Sequence, residues 1–357
     1  MVNLAMPVLK IGDLTARLPI VQGGMAVGLS LSGLASAVAN EGGIGILAAP
    51  AIGMSEPDFY KNYIEANTRA LRKEIQRARE LTDGILGVNI MVPLTNFREL
   101  VEAAVDEGID IIFAGGALPM KLAEIMVELR NKSVKLVPIV SSVRALQLIC
   151  RSWSRVGRSP DAVVVEGPLA GGHLGFSEEE VNDPEITLEK IIKSVRTEIN
   201  ENWPDIPVIA AGGIYTGEDI KKFLNLGASG VQMGTRFITT EECEAPVEFK
   251  QAYLDAKEED IVLIKSPLGL MGRAIQNDFL REVKEGKRHP GKCKYNCIKD
   301  CAQENAPYCI FWALTNAKQG KLKSGFAFAG ANAWRATEIV TVHELMTELM
   351  REYEEAT

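Results

Sequence analysis

His173 is one of three histidines in the chain, and it stands in EGPLAGGHLGF, Glu166–Phe176, among glycines and just after an apolar run. Imidazole titrates near neutrality and can take or give a proton. A loop histidine is by default structural or solvated; the glycines on both sides and the preceding apolar run argue that this one is presented to a ligand. Glu166 ends that run, where an unpaired carboxylate is costly. Asn89 lies inside the apolar stretch ILGVNIMV, where its amide must be hydrogen-bonded, either to a structural partner or to a heterocycle that both donates and accepts. In QGGM, Gln22–Met25, two glycines would admit a flat ligand close to the backbone. The stretches AAGGIYTGED and QMGTRF carry Gly212, Gly213, Gly234 and Thr235. Glycines let backbone N–H groups approach an anion, so these four form a candidate phosphate cradle, although glycines also serve ordinary tight turns.

A second constellation is sulfur. Cys293, Cys297, Cys301 and Cys309 follow the pattern C-x3-C-x3-C-x7-C, and only two further cysteines occur elsewhere. Thiolates at this density suit a soft metal centre, an iron–sulfur cluster or zinc, though the spacing is standard for neither. If Cys297 and Cys301 share a helix, their separation suits plain packing instead. His289 and His343 read as surface residues.

What must position these groups is an alternation of short apolar runs with longer amphipathic ones. Eight runs read as strands: residues 19–25, 42–49, 85–92, 109–116, 135–142, 161–167, 206–213 and 230–237. They lack polar alternation, as strands buried on both faces do. Amphipathic stretches such as FRELVEAAVDEG and GEDIKKFLNLG lie between them and end at a glycine suited to a C-cap. The alternation predicts an α/β fold, a (β/α)8 TIM barrel, with a doubly wound open sheet as the alternative. In a barrel, ligands bind at the C-terminal strand ends and phosphate commonly after strands seven and eight, where the two glycine stretches fall. GIGILA, Gly43–Ala48, fits G-x-G-x-x-A but lies within a strand rather than opening a helix, so it is set aside. Residues 1–238 are expected to form the barrel, 239–325 a mainly helical cap with the cysteine cluster, and 326–357 a segment returning to the barrel. The last segment ends in a helix presenting Val342, Leu345 and Leu349 on one face.

A net charge of −8 argues against nucleic acid or an anionic membrane as main partner, and the basic stretch Lys284–Lys294 reads as a solvated loop. The apolar runs are too short to span a bilayer and no signal peptide is indicated, so a soluble, cytoplasmic protein acting on a small molecule is expected, with homo-oligomer formation open.

PIVQGGM, GVNIM, EGPLAGGHLG, IPVIAAGGI and VQMGTRF, in that order, resemble the nitronate monooxygenase (2-nitropropane dioxygenase) family, and SGFAFAGANAW resembles it more weakly. That family shares its barrel and flavin site with flavin-dependent enoyl-acyl-carrier-protein reductases. The resemblance implies bound FMN, with Gly23, Gly24 and Met25 lining the isoalloxazine and Asn89 and Glu166 helping to hold it. Gly172 and Gly213 would approach the flavin, Gln232, Gly234 and Thr235 would meet its phosphate, and His173 would face substrate as the catalytic residue. Where some members carry a lysine after strand five, this chain has Ser141 and Ser142. The implied activity is oxidation of alkyl nitronates or nitroalkanes with oxygen. The alternatives are an NAD(P)H-dependent enoyl thioester reductase and a flavin-carrying redox sensor switched by the cysteines.

Overall fold

The structure, a computed structural model, describes residues 5–293, 295–299, 301 and 306–356. Lys294, the end of the basic stretch, and the extreme terminal residues of the first and last expected segments lie outside the described residues.

Eight strands form the barrel: Ile20–Gln22, Gly45–Ala48, Leu86–Met91, Ile111–Gly115, Lys135–Val140, Val163–Glu166, Val208–Ala211 and Gly230–Met233. Each falls inside one of the eight apolar runs. Every pairing is parallel, and each strand lies beside its sequence neighbour, except that the first pairs with the eighth. The ring closes between strands one and two through a parallel bridge, Val21 to Ile44, with the Gln22 N–H donating to the Ile44 carbonyl at 3.0 Å. Closure rules out the open doubly wound sheet.

Both strand faces are buried, which is why the runs lack polar alternation. Ile111, Phe113, Val137, Val164 and Ile209 fill the barrel interior, while Ile112, Ala114, Val163 and Val165 pack outward against the helices. The interior is plugged by an N-terminal hairpin, Leu9–Ile11 with Leu14–Ala16, which adds Leu9 and Ile11 to the same core. Its two-residue turn is Gly12–Asp13, with Gly12 at φ +60°.

The segment after strand eight carries helices Val247–Leu254, Asp278–Lys284 and Ile310–Lys318, and also a β-hairpin absent from the sequence reading. Its strands, Ile261–Lys265 and Met271–Ile275, pair antiparallel, and a third short strand, Gly172–His173, joins the second of them. The final helix, Val342–Glu355, opens with a capping box of Thr341 and Glu344 and buries Val342, Leu345 and Leu349 fully. It returns to the barrel against helix Gly217–Asn225, where the Gly217 N–H donates to Glu352 Oε2 at 2.7 Å. Among the described residues no helix is long and apolar enough to cross a membrane.

Candidate active site

A cavity of about 340 Å³ opens at the C-terminal ends of the barrel strands, beneath the cap. All twelve residues singled out for chemistry or flavin contact line it. Gly23, Gly24 and Met25 follow strand one, Asn89 lies in strand three, and Glu166 ends strand six. Gly172 and His173 stand beyond strand six, Gly212 and Gly213 follow strand seven, and Gln232, Gly234 and Thr235 end and follow strand eight.

The loop after strand one is shaped by a buried amide. Gln22 Nε2 donates to Ser30 Oγ at 3.0 Å, its Oε1 accepts from the Ile46 N–H at 2.9 Å, and Ser30 Oγ accepts from the Met25 N–H at 2.9 Å. Gly24 is needed by packing: a Cβ there would lie 2.5 Å from Asn89 Cβ. Among the described residues, the side chains of Asn89, Glu166 and Gln232 hydrogen-bond to no protein group. Three polar groups therefore face the cavity with their bonding capacity unspent.

His173 is not a loop residue. It pairs with Gly272 across the cap sheet, and the Leu174 N–H donates to the Met271 carbonyl at 2.9 Å. Its Nε2 lies 2.8 Å from Ser266 Oγ, in the hairpin turn, and its ring meets Phe328 edge-on with centroids 5.0 Å apart. Burial lowers the imidazole pKa to about 4, so it is neutral at physiological pH. Burial likewise raises Glu166 to about 8, so this carboxyl holds its proton near neutrality. The bend between them is fixed by Arg273, a buried guanidinium donating to the carbonyls of Pro168 at 2.6 Å and Ala170 at 2.7 Å.

The loops after strands seven and eight are tied to the returning segment. The Gly330 N–H donates to Thr235 Oγ1 at 2.9 Å, and Asn332 Nδ2 donates to the Gly213 carbonyl at 2.6 Å. Tyr215, which also lines the cavity, sits between the guanidiniums of Arg236 and Arg335, 4.9 Å and 4.8 Å from its ring centre. Neither serine after strand five reaches the cavity: Ser142 caps helix Val143–Ser154 through the Ala145 N–H, and Ser141 packs beside Gly175. Among the described residues no lysine or arginine lines the cavity.

Ser266, Phe328, Arg273, Thr235's partner Gly330 and Asn332 are positioning contacts that the sequence reading missed. Each lies about ninety or more residues from its partner, and the one local signal was the turn-like Ser266–Gly269 between two apolar runs.

The expected metal centre is not assembled as a set of convergent ligands. Among the described residues no group of three or more His, Cys, Asp or Glu side chains could hold a metal ion. Nor do Cys297 and Cys301 share a helix: Cys297 sits beside Ile298, which bridges Leu94.

The chain matches the nitronate monooxygenase family over residues 9–352. It is 27% identical to a probable nitronate monooxygenase of Staphylococcus saprophyticus over 311 residues, covering 77% of this chain and 80% of that one. To its counterpart in Staphylococcus haemolyticus it is 28% identical over 310 residues, covering 76% and 79%. Among solved structures, FabK from Thermotoga maritima aligns with a TM-score of 0.74 at 28% identity, over 95% of this chain and 94% of that one. Nitroalkane oxidase from Streptomyces ansochromogenes aligns with a TM-score of 0.74 at 26% identity, over 96% and 97%. A closed barrel, a cavity at its strand ends and a match over nearly the whole length place this chain in the nitronate monooxygenase family of oxidoreductases.

Proposed function

We propose that the chain is an FMN-dependent oxidoreductase that oxidises alkyl nitronates with oxygen. The observation that carries this reading is His173, held neutral and hydrogen-bonded to Ser266 on the wall of a cavity floored by glycines. The residues present fit the cofactor. Gly234 has an ordinary backbone and only Met25 within 4 Å of a built Cβ, so it leaves room that a side chain would fill. Asn89, Gln232 and the protonated Glu166 offer donors and acceptors to a heterocycle or phosphate without losing a protein bond. When FMN is bound, its isoalloxazine would supply the redox chemistry.

The chain's own residues then orient and exclude. Ser266 fixes the imidazole plane, and Phe328 packs against it and keeps water from that edge. A neutral imidazole can donate one N–H to a nitronate oxygen, a bond that costs no buried charge. It is a weak base for a neutral nitroalkane, so the pre-formed anion is the better substrate.

A second reading is favoured by the far wall of the cavity, where Tyr63, Leu94, Ile298, Ile310, Phe311 and Leu314 form an apolar extension away from the glycine floor. Such a wall suits a longer acyl chain, as an NAD(P)H-dependent reductase of enoyl thioesters would need, with His173 delivering the proton. Two measurements separate them. Ethylnitronate should drive oxygen consumption by the holoenzyme, and NADH should leave the anaerobic flavin spectrum unchanged. Bleaching by NADH with no turnover of ethylnitronate selects the reductase. Bound FAD, or no flavin after reconstitution, removes both.

A further inference from the structure

Cys293, Cys297, Cys301 and Cys309 ring one small cavity of about 30 Å³ in the cap, separate from the glycine floor of the active site. All four are free thiols. Among the described residues the rest of the wall is apolar apart from the Tyr308 hydroxyl, with Ile298 and Phe311 on it, and no carboxylate or histidine lines it.

We propose that this cavity is the binding site of an iron–sulfur cluster ligated by the four cysteines. Three observations carry it. First, no point among the described side chains would hold a single metal ion, which argues against zinc, whose four sulfurs must all lie about 2.3 Å from one centre. A cluster keeps its cysteine sulfurs further apart, because an inorganic core of iron and sulfide stands between them. Thiols that ring a cavity without converging match the second arrangement. Second, Tyr308 lines the same cavity, is 3% exposed, and its buried hydroxyl has no hydrogen-bond partner among the described residues. A sulfide or cysteine sulfur is the acceptor it lacks.

Third, little backbone pairing holds the segment, although Tyr295 packs it against Phe59, Tyr63, Phe311 and Trp312. From Glu285 to Cys309 the described residues form no helix or strand, and a structureless stretch of that length inside a packed protein asks for a fastening. Backbone bonds fasten it at one place, where the Thr95 N–H donates to the Cys297 carbonyl at 3.2 Å and the Lys299 N–H to the Pro93 carbonyl at 2.8 Å. Cluster ligation would fasten the rest, since metal binding energy is folding energy in such segments. Cys297 lines the active-site cavity as well, so the cluster would lie directly behind the wall of that cavity.

The test is elemental and needs no turnover. The full chain, purified anaerobically or reconstituted with ferrous iron and sulfide, should hold iron and acid-labile sulfide in equal amounts, about four of each. It should show broad visible absorption that dithionite bleaches. Cys301→Ser and Cys309→Ser should each lose the iron, while Cys150→Ser, in a helix on the barrel exterior, should keep it. A folded wild-type chain that takes up no iron, or one zinc in its place, overturns the proposal, as does a full iron complement in Cys301→Ser. If the serine variants do not fold, the wild-type iron and sulfide analysis alone decides. Flavin content is read separately, so iron without flavin would sink the FMN reading and leave this one standing.

Discussion

Gly212 and Gly213 follow the seventh barrel strand and Gly234 the eighth, and in sequence both look like the same glycine-rich loop. In the fold they differ. Gly212 and Gly213 have φ of +98° and +83°, and built Cβ atoms would lie 3.0 Å from the Gly167 carbonyl and 2.8 Å from Leu169 Cβ. Gly234 has φ −104° and only Met25 nearby, at 3.9 Å. The first pair are glycines because the backbone and its neighbours allow nothing else. Gly234 is glycine where the backbone would accept any residue, so its missing side chain leaves open space on the cavity lining. The tight-turn explanation holds for strand seven and fails for strand eight.

The largest expected effect comes from breaking that distinction. Gly234→Val should abolish flavin retention and leave the far-ultraviolet spectrum and melting temperature of the flavin-free protein unchanged. Gly212→Val should instead destabilise the fold itself, by roughly 1–3 kcal/mol from backbone strain alone, read as a lowered melting temperature before any flavin is added. Equal loss of stability in the two variants would erase the difference between the loops.

Next in size is His173, which the cap sheet holds over the floor those loops make. His173→Ala should keep its flavin and slow turnover of neutral nitroalkane, which needs both the imidazole's basicity and its N–H, by roughly 10²–10⁴-fold, with a smaller loss for ethylnitronate, which needs the N–H alone. Steady-state rates with the two substrates check this; unchanged rates with both would reduce His173 to a structural strand residue.

The smallest effect is a pH dependence of stability in the flavin-free protein. Glu166 is raised from 4.5 to about 8, so its contribution is fully present below about 4.5 and is lost as pH rises towards 8. His173 is lowered from 6.5 to about 4, so its contribution is present above about 6.5 and is lost as pH falls towards 4. Between pH 6.5 and 8 Glu166 acts alone of the two, and the melting temperature should fall across that window. Glu166→Gln should flatten the fall; a slope that survives the substitution assigns it to another group.

The barrel was legible because parallel strands buried on both faces read as unbroken apolar runs, and all eight do. The cavity residues were legible because most sit near or just past the end of such a run, and Asn89 and Gln232 stand out as polar residues inside one. Both hairpins escaped. LKIGDLTA offers only three residues on each side of Gly12–Asp13, too few for a period to register. Ile261–Lys265 and Met271–Ile275 lie between charged stretches that dominate any reading by composition. With the second hairpin went Ser266 and the true setting of His173, since no local pattern joins residues 93 positions apart. The outcome for the cysteines was different again: their types and order were visible, but whether they meet at a point or around a space is a property of the folded segment.

The strand that holds His173 has a consequence for how the protein is made. Synthesis runs from the N-terminus, and domains tend to fold as they emerge. The eighth barrel strand, ending at Met233, leaves the ribosome before Met271–Ile275, the strand with which Gly172–His173 pairs. The barrel can therefore close around an unfinished centre, with the histidine's strand still waiting for its neighbour. Translation itself sets the order: scaffold first, the setting of His173 last.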